Sequence, residues 1–345
     1  MDPLTQLLDG PQARRAFLLR AVMQAPWRLQ VQDEAALTLV LVSGAPVTLE
    51  SAGRQLTLLT GDTALIRGGA PYVISDPSGA TDRATAVIHP GQRCTGPDGE
   101  ELDVLFHRGL RSWGNAPDPE RCDHTLLIGT YESPGEVGRL AVDALPAVAV
   151  VPVGRTDRAL TQILHREVLS HGPAQSTLLD RLLDAVLIDT IRTWLQDNPS
   201  AEPGWLSGQQ DPAISLVLGL IHDHPERPWT LDQLARSAAV SRAGLAARFR
   251  HQVGVPPITY LTRWRLARAA DLLADPSSTI ARIATQVGYS SPFSLSTAFK
   301  NRYGTSPHRY RRTRYQAGRG STEIELLDQP VDLDDGGHSR PRKSR

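Results

Sequence analysis

The sequence predicts an α+β chain of 345 residues, all-β in its N-terminal part and all-α in its last third. Three observations predict it. First, a helix-turn-helix signal occurs twice: residues 230–254 read TLDQLARSAAVSRAGLAARFRHQVG, and residues 279–304 read TIARIATQVGYSSPFSLSTAFKNRYG. Each copy has a short apolar helix, a tight turn, a Ser, then a second helix closed by Gly. This is the local pattern of a unit that lays its second helix in a DNA groove. Second, residues 30–155 alternate short apolar runs with Gly, Pro and Asp punctuation, as in a β-sandwich or barrel. Third, the charge is divided. Residues 1–224 carry 17 arginines against 27 acidic residues, a net of −10, whereas residues 225–316 carry 15 basic against 4 acidic residues, a net of +11. A basic block that coincides with the repeat is the electrostatic footprint of a nucleic-acid partner.

In chain order, residues 1–155 form the expected β domain, with strands in ALTLVLVSG, PVTLESAG, RQLTLLTGD, TALIRGG, YVISDPSG and ATAVIHPG. Residues 156–197 follow as a helical region. Arg155–Gln196 reads as helical, with Leu160, Ile163, Leu164 and Val168, then Leu178, Leu179, Leu182, Leu183, Val186, Leu187 and Ile191. The second run is apolar around much of its circumference, more than packing on one surface needs, and predicts a dimer contact. Simple packing against the β domain is the competing explanation. Residues 198–210, NPSAEPGWLSGQQ, have the composition of a linker.

The DNA-binding region is expected over residues 211–315. A first helix starts at Asp211 as N-cap, with Pro212 in the first helical position, where proline costs no hydrogen bond. Thr230 and Ser241 cap the two helices of the first unit, and Leu245 and Phe249 recur at i, i+4 to bury one side. The other side carries Arg242, Ala243, Ala246, Ala247 and Arg250. Alanine touches a thymine methyl but makes no bidentate base contact, so this helix should read sequence weakly. Arg248 and Arg250 are read as phosphate clamps. In the second unit Ser291 caps the recognition helix, Leu295 and Phe299 form its buried pair, and Phe293, Ser294, Thr297 and Lys300 point outward. Phe293 suits either local packing or a thymine methyl. A connecting helix near Ile258–Ala274 supplies about 24 Å of rod, enough to hold two recognition helices near one DNA turn apart. Residues 316–345 are polar and Gly-rich, the composition of a disordered tail.

Other classes find little support. Two cysteines are too few for a secreted disulfide framework. No apolar run is long enough to span a bilayer and the N-terminus lacks a secretory pattern, so a cytoplasmic protein with no membrane partner is expected. No nucleophile triad, Gly-rich phosphate loop or paired-carboxylate signal is present, so no enzyme and no cofactor are expected. Cys94 and Cys122 are the candidate redox pair, each preceded by an arginine. A zinc site with His89 and His124 lacks standard ligand spacing, so no metal is assigned, and two ordinary small residues remain the plainest explanation.

The C-terminal third resembles the AraC/XylS family of bacterial transcription regulators. The resemblance runs from about Ile214 to Arg312 and rests on Ala284, Gly288-Tyr289, Ser291, Phe299-Lys300, Gly304, Ser306-Pro307 and Tyr310-Arg311. It implies a two-unit domain that binds double-stranded promoter DNA, activates or represses transcription, and often contacts RNA polymerase. In family terms, bases are read from Ala243, Ala246 and Ala247 in the first unit and from Phe293, Ser294 and Thr297 in the second. The family often has Arg where this chain has Ala247. The stretch Gly61-Asp62-Thr63-Ala64-Leu65-Ile66 followed by Gly69-Ala70-Pro71-Tyr72 resembles the cupin-type sensor domains of such regulators, which implies a small-molecule effector and a homodimer. Metal-binding cupins use His-x-His and Glu, whereas Tyr72 stands where a cupin His is common. A metal-dependent cupin enzyme with a DNA-binding appendage is therefore the alternative from another class.

Overall fold

A computed structural model describes residues 16–78, 83–108, 111–131, 135–170, 172–198 and 204–320. Twelve strands among them form two six-stranded sheets. The first has the order β10 (Ser112–Trp113), β1 (Ala16–Met23), β11 (His124–Tyr131), β3 (Leu37–Val42), β6 (Thr63–Arg67) and β12 (Val148–Val151). The second runs β5 (Arg54–Leu58), β4 (Val47–Ser51), β7 (Tyr72–Ser75), β2 (Arg28–Val31), β8 (Ala86–Ile88) and β9 (Cys94–Thr95).

The period-2 alternation of a strand explains how the first sheet serves two cores. All of β3 is buried. Val40 and Val42 face the second sheet and join Met23, Trp27, Leu49, Ile66, Tyr72 and Ile74 between the sheets. Leu37, Leu39 and Leu41 face the other way and pack with the helices. A short helix α1 (Gly135–Val142) precedes β12, and α2 (Arg158–Val168) and α3 (Gln175–Asp197) follow it.

The helical region over Arg155–Gln196, read as a pair of helices, is divided between α2 and α3. The chain breaks between α2 and α3, where Gly172-Pro173 precedes Ala174 in a left-handed conformation at φ 58°. Proline disfavours helical geometry in the residue before it, which is enough to interrupt the run. The wide apolar surface of α3 is largely taken up within the chain: Leu179, Leu183, Val186, Leu187 and Ile191 are buried, and Leu182, Ile188, Trp194 and Leu195 pack at the edge of the same core. Leu178 is left exposed.

Residues 204–210 do not behave as an open linker. Trp205–Gly208 form a helical turn, α4, with Trp205 and Leu206 buried. The indole Nε1 of Trp205 donates to Leu140 O in α1 at 3.0 Å, and Gly204 N donates to Gln252 O at 2.8 Å. Two large apolar side chains outweigh a loop-like composition.

Beyond it lie α5 (Pro212–Asp223), α6 (Leu231–Ser237), α7 (Arg242–Val253), α8 (Pro257–Leu272), α9 (Ile280–Gln286), α10 (Pro292–Tyr303) and α11 (Pro307–Gly320). The last continues past the boundary expected at 315, and residues 321–345 lie outside the described residues. Two cores divide these helices. Ile214, Val217, Leu218, Leu234, Leu245, Phe249, Leu261 and Trp264 belong to the cluster that reaches back to the first sheet. Leu266, Ala269, Ala270, Ile283, Ala284, Leu295 and Phe299 form a separate one.

Candidate nucleic-acid interface

Each helix of the two units begins on a side-chain cap that answers the orphan amides of a helix start. Thr230 and Gln233 form a reciprocal capping box on α6, Ser241 Oγ accepts from Gly244 N at 3.0 Å, and Thr279 Oγ1 accepts from Arg282 N at 3.1 Å. Recognition helices α7 and α10 both end on left-handed glycines, Gly254 at φ 83° and Gly304 at φ 70°. Leu245 with Phe249, and Leu295 with Phe299, lock one face of each helix into its core. That burial aims the opposite face outward.

On α7, Arg242, Ala243, Ala247 and Arg250 are exposed and Ala246 is half-buried. Arg242 lies 3.5 Å from the Asp232 carboxylate on α6, an exposed pair of small energetic weight. Arg248 differs from the phosphate clamp expected of it. Its Nε donates to Asp211 Oδ2 at 2.9 Å and its terminal nitrogen pairs with the same oxygen. Asp211 in turn accepts Ala213 N at 2.9 Å and so starts α5. Burial pushes the Asp211 carboxyl up, but Arg248 and the two helix amides more than offset this and hold it below its usual range. Arg248 therefore braces the helix ahead of the reading unit.

On α10, Phe293 is 81% exposed, which removes local packing as its explanation. Thr297 and Lys300 are exposed as well. Ser294 departs from the outward reading: its amide donates to Ser291 Oγ at 3.1 Å, its hydroxyl donates to Ser291 O at 2.8 Å, and the same oxygen accepts Ser291 N at 3.2 Å. This hydroxyl completes the helix cap.

Within the β domain, Cys94 is buried between the sheets and Cys122 is half-buried ahead of β11; both are free thiols. Burial and the Asp103 carboxylate push the Cys94 thiol up to about 12, which opposes the thiolate that oxidation needs. His89, weighed as a zinc ligand, is engaged with Gln32 at 3.2 Å and Thr95 at 2.8 Å. Among the described residues no group of three or more His, Cys, Asp or Glu side chains is placed to hold a metal ion. No helix among them is long and apolar enough to cross a membrane.

One contact between the two halves had no counterpart in the sequence reading. Asp271, near the end of α8, accepts Glu136 N at 2.7 Å and Val137 N at 3.0 Å, capping α1 of the β domain. Tyr310 in α11 donates to Glu136 Oε1 at 3.2 Å and packs edge-on against Phe299 of the second recognition helix, with ring centroids 5.2 Å apart. Asp271 is one of only four acidic residues in the basic block 225–316, and that isolation was the available signal.

Comparisons with known proteins agree with this architecture. The family model described as a cupin matches residues 2–196, and the one described as a helix-turn-helix domain matches residues 234–313. A Streptomyces lividans protein described as an AraC-like transcription regulator is 33% identical over 321 residues, covering 90% of this chain and 98% of the relative. The transcriptional regulator AlkR of Acinetobacter baylyi is 28% identical over 323 residues, covering 90% of this chain and 99% of its own. Among solved structures, the DNA-binding domain of AdpA in complex with a target DNA is 30% identical, covering 32% of this chain and 97% of that one, with a TM-score of 0.30. A cupin domain joined to a duplicated helix-turn-helix domain defines a DNA-binding transcription regulator. The chain belongs to the AraC-like family of these regulators.

Proposed function

We propose that this chain is a promoter-binding switch in which a small molecule held by the cupin domain alters how the two reading units are presented to DNA. The observation that carries the switch is the double connection between the halves. The first unit shares one continuous apolar core with the cupin domain. The second has its own core and meets the cupin domain through α1, by way of Asp271 and Tyr310. A shift of α1 would therefore be passed to both units, to the first through the shared core and to the second through Asp271 and Tyr310, a coupling that ligand binding can bias.

The chemistry between the sheets favours an effector over thiol oxidation. Trp27 Nε1, Trp113 Nε1 and His124 Nδ1 are buried without a hydrogen-bond partner among the described residues. Buried polar atoms normally find partners. An apolar interior with a few unpaired polar atoms suits a largely apolar small molecule bearing a hydrogen-bonding group. The high thiol pKa of Cys94 argues against the redox alternative. A homodimer is proposed through the face of α3 that carries Leu178, with RNA polymerase as the partner at an activated promoter.

The test is selection of genomic DNA fragments by the purified full chain, followed by transcription from the recovered promoters with purified RNA polymerase. The reading expects enrichment of fragments upstream of genes and a change in transcript yield on adding the protein. Recovery of fragments in proportion to bulk genomic DNA would overturn it.

A further inference from the structure

The seam between the two reading units is keyed by one side chain. Along α8, Tyr260, Leu261 and Trp264 pack into the core of the first unit, whereas Leu266, Ala269 and Ala270 pack into that of the second. Arg265 sits at the change of face. Its Nε donates to Pro225 O at 2.7 Å and a terminal nitrogen donates to Arg227 O at 2.7 Å, gripping the loop that leads into the first unit. The planar fork of a guanidinium suits this two-carbonyl grip, and an ammonium would reach only one.

The second unit closes on the same point. Gly288, in the turn between α9 and α10, has φ 82°. A Cβ placed there would lie 2.7 Å from Pro225 O, 2.8 Å from the Arg265 guanidinium and 2.8 Å from Glu226 Cα. The turn of one unit is thus in direct contact with the entry loop of the other, with Arg265 between them. A continuous helix alone would leave the units free to roll about it. The keyed seam removes that freedom.

We propose that Arg265, seated against Gly288, is a positioning residue that fixes the spacing and rotational phase of the two half-sites this chain accepts. It acts through the relative placement of α7 and α10 and needs no contact with DNA. The mechanism is selective because inserting one base pair moves a half-site by about 3.4 Å and turns it by about 35°, which a rigid pair of readers does not follow.

The inference rests on the DNA-binding reading above, and its test separates the two. The full chain first selects its sites from a random duplex pool; failure to enrich any sequence overturns the DNA-binding reading itself. The selected duplex is then remade with one or two base pairs inserted or removed between the half-sites. Wild type should lose about tenfold or more in affinity for each change, the order expected when one of two half-sites is lost. Arg265→Lys, which keeps the charge, and Gly288→Ala, which opens the seam without touching charge, should each reduce that penalty to about threefold or less. A merely structural role would lower affinity for every spacing alike and leave the penalty unchanged. The proposal is overturned if wild type tolerates the insertions, or if a folded Arg265→Lys keeps the full wild-type penalty. Should Gly288→Ala fail to fold, Arg265→Lys carries the test by itself.

Discussion

The carboxylate of Asp271 caps the helix that begins beside Glu136, accepting the Glu136 amide at 2.7 Å and the Val137 amide at 3.0 Å from more than a hundred residues away. Helix caps are normally local, supplied by the residue just ahead of the helix. Here Gly135 precedes the capped amides, and a Cβ at that position would lie 2.7 Å from Asp271 Oδ1. Removing the cap with Asp271→Ala should cost about 1 kcal/mol locally. Hydrogen exchange at the Glu136 and Val137 amides should then quicken by about fivefold, with smaller changes at the core of the first unit. Unchanged exchange at both amides would refute the cap.

The arginines of α7 should separate by role. Arg248→Ala should lower thermal stability, by about 1 kcal/mol given its half-exposed pairing with Asp211, and leave the salt dependence of DNA affinity intact. Arg250→Ala and Lys300→Ala should instead each flatten the slope of log affinity against log salt by about 0.9, with no change in base preference. A salt slope altered by Arg248→Ala, or a change at a single base position with Arg250→Ala, would reverse the assignment.

Phe293, exposed on α10, is expected to carry the discrimination of the second unit. Phe293→Ala should relax the preference at one base pair by about 1 kcal/mol, as loss of an apolar contact with a thymine methyl would. Serial replacement of that thymine by uracil, which lacks the methyl, should reproduce the loss in wild type and have no further effect in the variant. Equal weakening on every sequence would mean that Phe293 only packs against the backbone.

His222 gives the DNA-binding domain an acid-sensitive element. Its Nε2 lies 2.8 Å from the Tyr260 hydroxyl and its ring centroid 4.0 Å from that of Trp264. Burial, helped by Arg268, brings the imidazole down from 6.5 to about 3. The unfolded chain thus takes up a proton near 6.5 that the folded chain refuses until about pH 3, and stability falls as pH is lowered through that window. The slope approaches about 1.4 kcal/mol per pH unit. Denaturant melts between pH 4.5 and 6.5 should show it in wild type and show a shallower slope in His222→Gln. Parallel slopes would place the effect elsewhere.

How far the sequence alone carries depends on the range of the interaction. The capped recognition helices follow from Ser241, Ser291, Gly254 and Gly304 because capping is a matter of a few neighbouring residues. The strands from Leu37 to Ile88 follow for the same reason, being short apolar runs bounded by turn residues. β1 escaped because AFLLRAVM, apolar but for Arg20, shows no clear alternation to mark it as a strand. Helix α1 escaped because its cap lies on α8. The pairing of Arg248 escaped because its partner, Asp211, is 37 residues away. The two turns also hide a shared feature: Ala239 takes φ 53° where the second copy has Gly288. Chemistry carried by neighbours along the chain was readable, whereas chemistry carried by tertiary partners needed the fold.

The central claim is that two non-equivalent units occupy adjacent major-groove segments of one DNA. Its most direct test is protection of guanine N7 from methylation by the full chain on its selected site, in wild type and in Phe293→Ala. The account predicts two protected clusters about one helical turn apart, with the variant losing protection at the Phe293 half-site while the other persists. A single protected cluster in wild type, or simultaneous loss of both clusters in the variant, would contradict it.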